Sequence, residues 1–276
     1  MMNKNIMKKI LINAKAIAVA AVLFGASTAT NAQQVLLDNH YNRETKKTKD
    51  GKEINYHYLW DDKEDTGFSI FGDAFKRNGA KTLSVLAEAP TKANLKNADI
   101  YIIVDPDNTV DSPKPNYMDE KEAKEIAKWV KGGGVLLLMG NDEANADLKH
   151  FNILAKKFGL TFNSDLILHV KDDDHFDDGG LYTEGSSLFK KAKYIYIKNA
   201  ASIATERTAM SLLKDKAGKT AIASAKYGKG MVLAVGDPWL YNEYTNGRLP
   251  KRFENDKAAD DVAKWLIENS RIKKRN

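Results

Sequence analysis

The sequence predicts an α/β fold, a mostly parallel sheet with helices on both of its faces. Three observations carry that expectation. Short continuous apolar runs, Ile100–Val104 (Ile-Tyr-Ile-Ile-Val) and Val135–Met139 (Val-Leu-Leu-Leu-Met), have the pattern of strands buried on both sides. Stretches with apolar residues at helical spacing lie between such runs. Strand and helix alternate along the chain, the order that builds a parallel sheet through helical crossovers.

The elements follow in chain order. Val35-Leu36-Leu37 reads as the first strand. Phe68, Phe71, Ala74 and Phe75 mark the apolar stripe of a helix, with Thr66 as N-cap and Gly79 at its end. Leu83–Leu86 is the next strand, ahead of the Ile100–Val104 run. A second helix carries Ala123, Ile126, Ala127 and Val130, led by Asp119-Glu120 and stopped by Gly132-Gly133-Gly134. Phe151, Leu154, Ala155 and Phe158 mark a third, closed by Gly159 as a C′ residue. Leu166–Leu168, Tyr194–Ile197, Thr220–Ala223 and Met231–Val235 complete the strands, and Val262, Ala263, Leu266 and Ile267 give a C-terminal helix. No repeat of roughly 20–50 residues occurs, and no Ser/Gly- or Pro-rich linker divides residues 33–276, which read as a single domain. Three polar stretches, Asn39–Asp65, Pro106–Asp119 and Lys171–Ser187, are too long for plain connections. The first carries Tyr41, Tyr56, His57, Tyr58 and Trp60, the aromatic content of an ordered loop.

The chain has 276 residues, 43 Lys+Arg against 37 Asp+Glu, a formal charge of +6 and no cysteine. Residues 1–32 hold Lys4, Lys8, Lys9 and Lys15 and no acid, and without them 39 basic side chains face 37 acidic ones. A near-neutral body lacks the basic stripe of a nucleic-acid binder. The leader has a basic start, an apolar stretch of only about ten residues after Lys15 and small residues up to Ala32, the anatomy of a secretory signal peptide. The apolar run is too short to cross about 30 Å of hydrocarbon. Cleavage is expected after Ala32, leaving a periplasmic or secreted protein with no membrane span. The absence of cysteine excludes disulfides, lipid attachment, thiolate metal sites and thiol nucleophiles.

Chemistry is expected at the strand ends, because open α/β sheets bind ligands beyond their carboxyl edge. Asp38-Asn39-His40 follows the first run, Asp105-Pro106-Asp107 follows Val104, and Gly140-Asn141-Asp142-Glu143 follows Met139. Gly236-Asp237-Pro238-Trp239, then Tyr241-Asn242-Glu243-Tyr244, follows Val235. Asp and Asn are also ordinary N-caps and turn residues. Four such junctions converging on one edge favour a functional rim. Asp38, Asn39, Asp105, Asp107, Asn141, Tyr241, Asn242 and Glu243 suit a hydroxyl-rich ligand such as a sugar, with Trp239 covering its C–H face. His150, early in the third helix, either faces this rim or packs. Asp142 and Asp237 form a candidate acid–base pair. No cofactor or metal is expected. The histidines lack zinc spacing, no Walker motif or G-x-S-x-G elbow occurs, and the acids of Lys171–Gly180 miss the calcium-loop spacing.

Lys131-Gly132-Gly133-Gly134-Val135-Leu136-Leu137-Leu138-Met139-Gly140-Asn141-Asp142 resembles the strand-to-turn segment of class I glutamine-amidotransferase-like domains. Trehalose-utilisation-type proteins and the periplasmic component of gliding-motility transporters are similar there too. Leu37–Asn42, Tyr101–Asp107, His150-Phe151-Asn152 and Gly230–Tyr244 resemble more closely an uncharacterised domain family of secreted Bacteroidetes proteins, found beside or fused to unsaturated rhamnogalacturonyl hydrolases. The resemblance covers most of residues 34–268 and implies a flavodoxin-like, amidotransferase-like sheet. It also implies a role in polysaccharide utilisation, pectin or rhamnogalacturonan included, and a glycoside hydrolase partner. The amidotransferase nucleophile is missing, since Asp142 stands in the place of its cysteine, and no histidine is followed two residues later by Glu. Glutaminase chemistry is therefore excluded.

The leading expectation is a carbohydrate-related accessory or binding domain holding an oligosaccharide or sugar-derived ligand at the rim. One alternative is a sugar hydrolase using paired rim carboxylates. Another is a protein-interaction module of an envelope complex, working through Asn39–Asp65. The leader reading has a direct check: intact-mass analysis of the exported protein should give a chain beginning at Gln33.

Overall fold

The computed structural model describes residues 33–272, so the leader expected at residues 1–32 lies outside the described residues. The first half of the chain forms β1 (Gln33–Asp38), β2 (Thr45–Lys47), β3 (Glu53–Asn55), α1 (Ser69–Arg77), β4 (Ala80–Leu86), α2 (Lys92–Leu95), β5 (Ile100–Val104), α3 (Glu120–Lys131) and β6 (Val135–Met139). It continues through α4 (Leu148–Ala155), β7 (Leu160–Phe162), β8 (Gly180–Tyr182), β9 (Tyr194–Tyr196), β10 (Ile203–Thr205), β11 (Ala209–Lys214), β12 (Thr220–Tyr227), β13 (Gly230–Val235), α5 (Asn242–Thr245) and α6 (Asn255–Ile272). Seven strands make one sheet in the order β11-β12-β13-β6-β5-β1-β4. β4, β1, β5, β6 and β13 run parallel, while β12 and β11 add an antiparallel edge.

The period-2 geometry of a strand sorts each apolar run onto two cores. Ile100, Ile102 and Val104 of β5 join Leu137 of β6 in a cluster with Phe71, Phe75, Val262 and Leu266 of α1 and α6. Tyr101 and Ile103 point the other way, into a cluster with Ile126 and Val130 of α3 and Phe151 and Leu154 of α4. Helices thus cover both faces. Each fully buried Val, Leu or Ile contributes about 1.5–3 kcal/mol, which favours unbroken apolar runs over alternation in the central strands.

Local signals set most helix ends. Asp119 caps α3 in a reciprocal capping box with Glu122. After α4 a short 3₁₀ turn ends at Gly159, whose φ of 74° is the left-handed conformation expected there. α1 differs from expectation. Its N-cap is Phe68, not Thr66, and no side chain of its own caps it. Asn242, distant in sequence, does so: its Oδ1 accepts from Ile70 N at 3.0 Å. Its Nδ2 donates to Asp62 O, Glu64 O and Ser69 Oγ at 3.1, 2.8 and 2.9 Å. Leu166–Leu168 is not a strand and holds only an isolated bridge from Ile167 to Ala200, because Leu168 takes φ of 53°, outside the β region. β9 pairs with β8 instead of joining the main sheet.

Two of the three polar stretches contain secondary structure, and Pro106–Asp119 forms only turns and bends. Asn39–Asp65 contains the β2–β3 hairpin and buries Tyr41 and Tyr58. In the acidic stretch, a 3₁₀ turn at Asp173–Gly179 is pinned by Arg248 to Asp173 (2.5 Å) and Arg252 to Asp177 (2.8 Å). No helix among the described residues is long and apolar enough to cross a membrane.

Asn242→Ala removes a cap and leaves buried backbone groups without partners. It should lower stability by about 2 kcal/mol, read as a lower urea midpoint at unchanged m-value.

Candidate functional site

Register brings the strand ends level. β5 pairs with β6 from Ile100 opposite Val135 to Val104 opposite Met139, and β13 places Val235 opposite Met139. Asp105, Gly140 and Gly236 therefore leave the sheet side by side. β1 has β4, its successor in the sheet, on one side and β5 on the other, so the direction of winding reverses between β1 and β5. A crevice is expected at that reversal, and a cleft of about 220 Å³ lies there. Asn42 and Glu44 line it from the segment after β1, Asp105, Asp107 and Asp111 from the segment after β5, and Asn141 and Asn145 from that after β6. His57, Tyr58 and Thr66 of the long loop and Tyr241 and Glu243 beyond β13 close it.

Asp105 is the centre of this arrangement. It is 7 % exposed and has φ of 44°, a left-handed backbone at the end of a strand. Its Oδ2 accepts from Tyr58 OH at 2.8 Å and Asn141 Nδ2 at 3.2 Å, and its carbonyl accepts from Asn42 Nδ2 at 2.7 Å. Its Oδ1 has no partner. Asp107, 2 % exposed, accepts from Arg43 N at 2.9 Å through Oδ2 and likewise leaves Oδ1 unpartnered. Asn42 Oδ1 is a third buried acceptor without a donor. Burial pushes both aspartates up to about 7, against the hydrogen bonds that Asp105 and Asp107 receive. For Asp107 the charges of Glu44 and Asp111 add to the rise.

Backbone strain gathers here as well. His57 and Tyr58 take φ of 66° and 53° next to Asp105, and left-handed non-glycine residues are uncommon and cluster at functional sites. His57 Nδ1 lies 2.5 Å from Glu44 Oε1. Burial opposes the charge on His57, but the hydrogen bond and charge of Glu44 raise its imidazole above the ordinary value.

The other expected residues sit elsewhere. Asp38 is buried and outside the cleft lining, and it accepts from Tyr41 N (2.8 Å), His40 N (3.1 Å) and Tyr101 OH (2.6 Å). Asn39 ties the same turn through Nδ2 to Asn42 O at 2.8 Å. Asp142 holds the turn after β6, accepting from Ala144 N at 2.9 Å and Asn145 Nδ2 at 2.7 Å. Asp237 is buried, and burial, then Asp105 and Asp142, pushes its carboxyl well above the usual range. Trp239 is 0 % exposed within the core, so it offers no face to a ligand. Asn242 is the trans cap of α1. His150 pairs with Asp147 at 2.7 Å and stacks on Tyr117, outside the cleft lining. Glu44, His57, Tyr58 and Asp111 were not expected at the rim. The only sequence signal for them was the density of aromatic and charged residues in two long loops. Among the described residues, no group of three or more His, Asp or Glu is arranged to hold a metal ion.

The raised carboxyls set a sign for pH dependence. Asp38, pushed up by burial to about 6, and Asp105 and Asp107, at about 7, hold protons in the native state that the unfolded chain, at 3.8, has already lost. Their stabilising effect is complete below the unfolded value and is lost as pH rises through about 6–7. The thermal midpoint should therefore fall between pH 5 and 8. Asp105→Asn should flatten that fall and raise the midpoint at pH 8. An unchanged slope in the variant would remove Asp105 as a source.

No family model matches the sequence, and no curated protein resembles it at a significant level. Solved structures do. The N-terminal domain of mmIFT52 superposes with a TM-score of 0.62 at 17% identity, over 85% of this chain and 97% of that one. The cytoplasmic protein STM1381 from Salmonella typhimurium LT2 gives 0.56 at 12% identity, over 85% and 99%. A beta-galactosidase from Bacillus circulans sp. alkalophilus reaches 0.49 at 14% identity, over 86% of this chain and 31% of the enzyme, a likeness too slight to build on. At these identities the first two similarities are of fold alone, and they describe an α/β domain shared across nearly the whole length of both.

Proposed function

We propose that the chain is an exported carbohydrate-binding accessory domain of a polysaccharide-utilisation system, with its ligand in the cleft between the ends of β1 and β5. The observation that carries this reading is the set of three buried acceptor oxygens, Asn42 Oδ1, Asp105 Oδ1 and Asp107 Oδ1, on residues that line one cleft and have no donor. Buried acceptors normally have partners, and sugar hydroxyls are donors. A hydrogen bond to a charged acceptor contributes about 1.5–3 kcal/mol. Tyr241, only partly buried and edge-on to Tyr58 at 5.9 Å, supplies the apolar face expected earlier from Trp239. A volume of about 220 Å³ has room for about seven waters at roughly 30 Å³ each, which suits one sugar ring or the end unit of a longer chain. A flavodoxin-like, amidotransferase-like assignment agrees with the order of the five parallel strands, 2-1-3-4-5 when numbered along the chain.

A hydrolase acting through the same cleft is the second reading. It rests on Asp105 and Asp107, both pushed up by burial to about 7, where a carboxyl can exchange protons with a substrate at neutral pH. Asp142 and Asp237 fit that role less well, since one holds a turn and the other is closed off from the cleft lining.

Calorimetry against a panel of monosaccharides and plant-polysaccharide fragments should find saturable binding. Asn42→Ala should weaken it about tenfold, and His150→Ala should leave it unchanged. Absence of binding to every fragment would sink the proposal. Cleavage of an end-labelled oligosaccharide that is lost in Asp105→Asn would favour the hydrolase.

A further inference from the structure

The charges of the cleft do not balance. Glu44 is paired with His57, and Glu243 with Arg248 at 3.0 Å. Asp105, Asp107 and Asp111 form no ion pair among the described residues, and the partners of Asp105 and Asp107 are neutral donors: a phenol, an amide and a backbone N–H. Two of these three carboxyls are more than nine-tenths buried, each with one oxygen unpartnered. A neutral polyol satisfies such oxygens as acceptors but leaves their charge uncompensated in a poorly solvated place. A ligand with its own positive charge does both.

On the reading that this cleft binds a sugar, we infer that it selects a sugar bearing a protonated amine, a 2-amino unit whose ammonium enters the field of Asp105, Asp107 and Asp111. An ammonium carries three donors and no acceptor, matching the buried oxygens of Asn42, Asp105 and Asp107 that have no donor, the two carboxyls accepting in their ionised form. The neutral Asn42 Oδ1 is left for a ring hydroxyl, so the site reads charge and hydroxyl together. The raised carboxyls agree with an empty cation position. Burial pushes Asp105 up, with Glu44 adding to it and His57 opposing, and Asp237 stands close by. Burial also pushes Asp107 up, with Glu44, Asp111 and Asp38 adding to it. An ammonium among these groups reverses the effect and releases their protons.

The test compares glucosamine dimer with its N,N′-diacetyl form, which keeps the hydroxyls and loses the charges. At pH 7 and low salt the free-amine dimer should bind at least about tenfold tighter, and the margin should shrink as salt rises. Asp107→Asn should abolish the preference, while Asp73→Asn, which removes an exposed acid on α1, should retain it. Calorimetry in two buffers of different ionisation enthalpy should show proton release with the amine and none with the acetylated form. Equal binding of the two dimers, or of the wild type and Asp107→Asn to the amine, overturns the inference and leaves the sugar-binding reading standing. Lysinamide, an ammonium without a ring, should bind more weakly than the amino sugar, and equal affinity overturns the sugar part. Failure of every sugar, charged or neutral, overturns the underlying reading as well.

Discussion

The rim of this protein depends on one buried carboxylate held at the end of the central strand. Asp105 leaves the sheet in a left-handed backbone conformation directly after β5. There its oxygens and carbonyl gather Tyr58 from the long loop, Asn141 from the turn after β6 and Asn42 from the turn after β1. Three segments that share no secondary structure are drawn together by one residue. Burying a carboxyl that keeps one oxygen unpartnered is unfavourable, and a left-handed non-glycine residue adds about 1–3 kcal/mol of strain. Both costs fall where a ligand would offset them.

The sheet makes that arrangement possible by holding its strand ends in register. The two cores on its faces are continuous, and each parallel strand contributes alternate residues to both. A slip of one residue would exchange every side chain between the cores, so Asp105, Gly140 and Gly236 are kept level. Asn242 plays a comparable part at the edge of the site. It caps α1 in place of a local residue and fixes the loop carrying His57 and Tyr58 against the segment after β13. The long loop is ordered because its aromatic side chains pack on the sheet edge and its backbone is held by distant amides.

Much of the fold was legible in the sequence. Ile100–Val104 and Val135–Met139 coincide with β5 and β6, because an apolar run flanked by polar turns has little alternative to a strand buried on both faces. The capping box at Asp119 and the left-handed Gly159 rest on local chemistry. The short strands β2, β3, β7, β8, β10 and β11 were not legible, since three to six residues of mixed polarity pair only where the rest of the chain brings them together. Leu166–Leu168 shows the converse: an apolar triplet resembles a strand, yet Leu168 turns out of the β region.

For the candidate site, the sequence pointed to this edge, because acids and amides follow each central strand and register must bring them side by side. It also determined that no thiol chemistry operates here, since the chain has no cysteine. The contacts each residue makes follow from packing. Asp142, Trp239 and Asn242 belong to types that both bind ligands and hold turns or cores, and composition cannot distinguish an inward from an outward side chain. Glu44, His57 and Tyr58 reach the cleft through a loop whose path is set by contacts far away in sequence. The physical reason is range: backbone propensity and apolar periodicity act over a few residues, whereas burial, and the charge balance of a cleft, are properties of the whole packed chain.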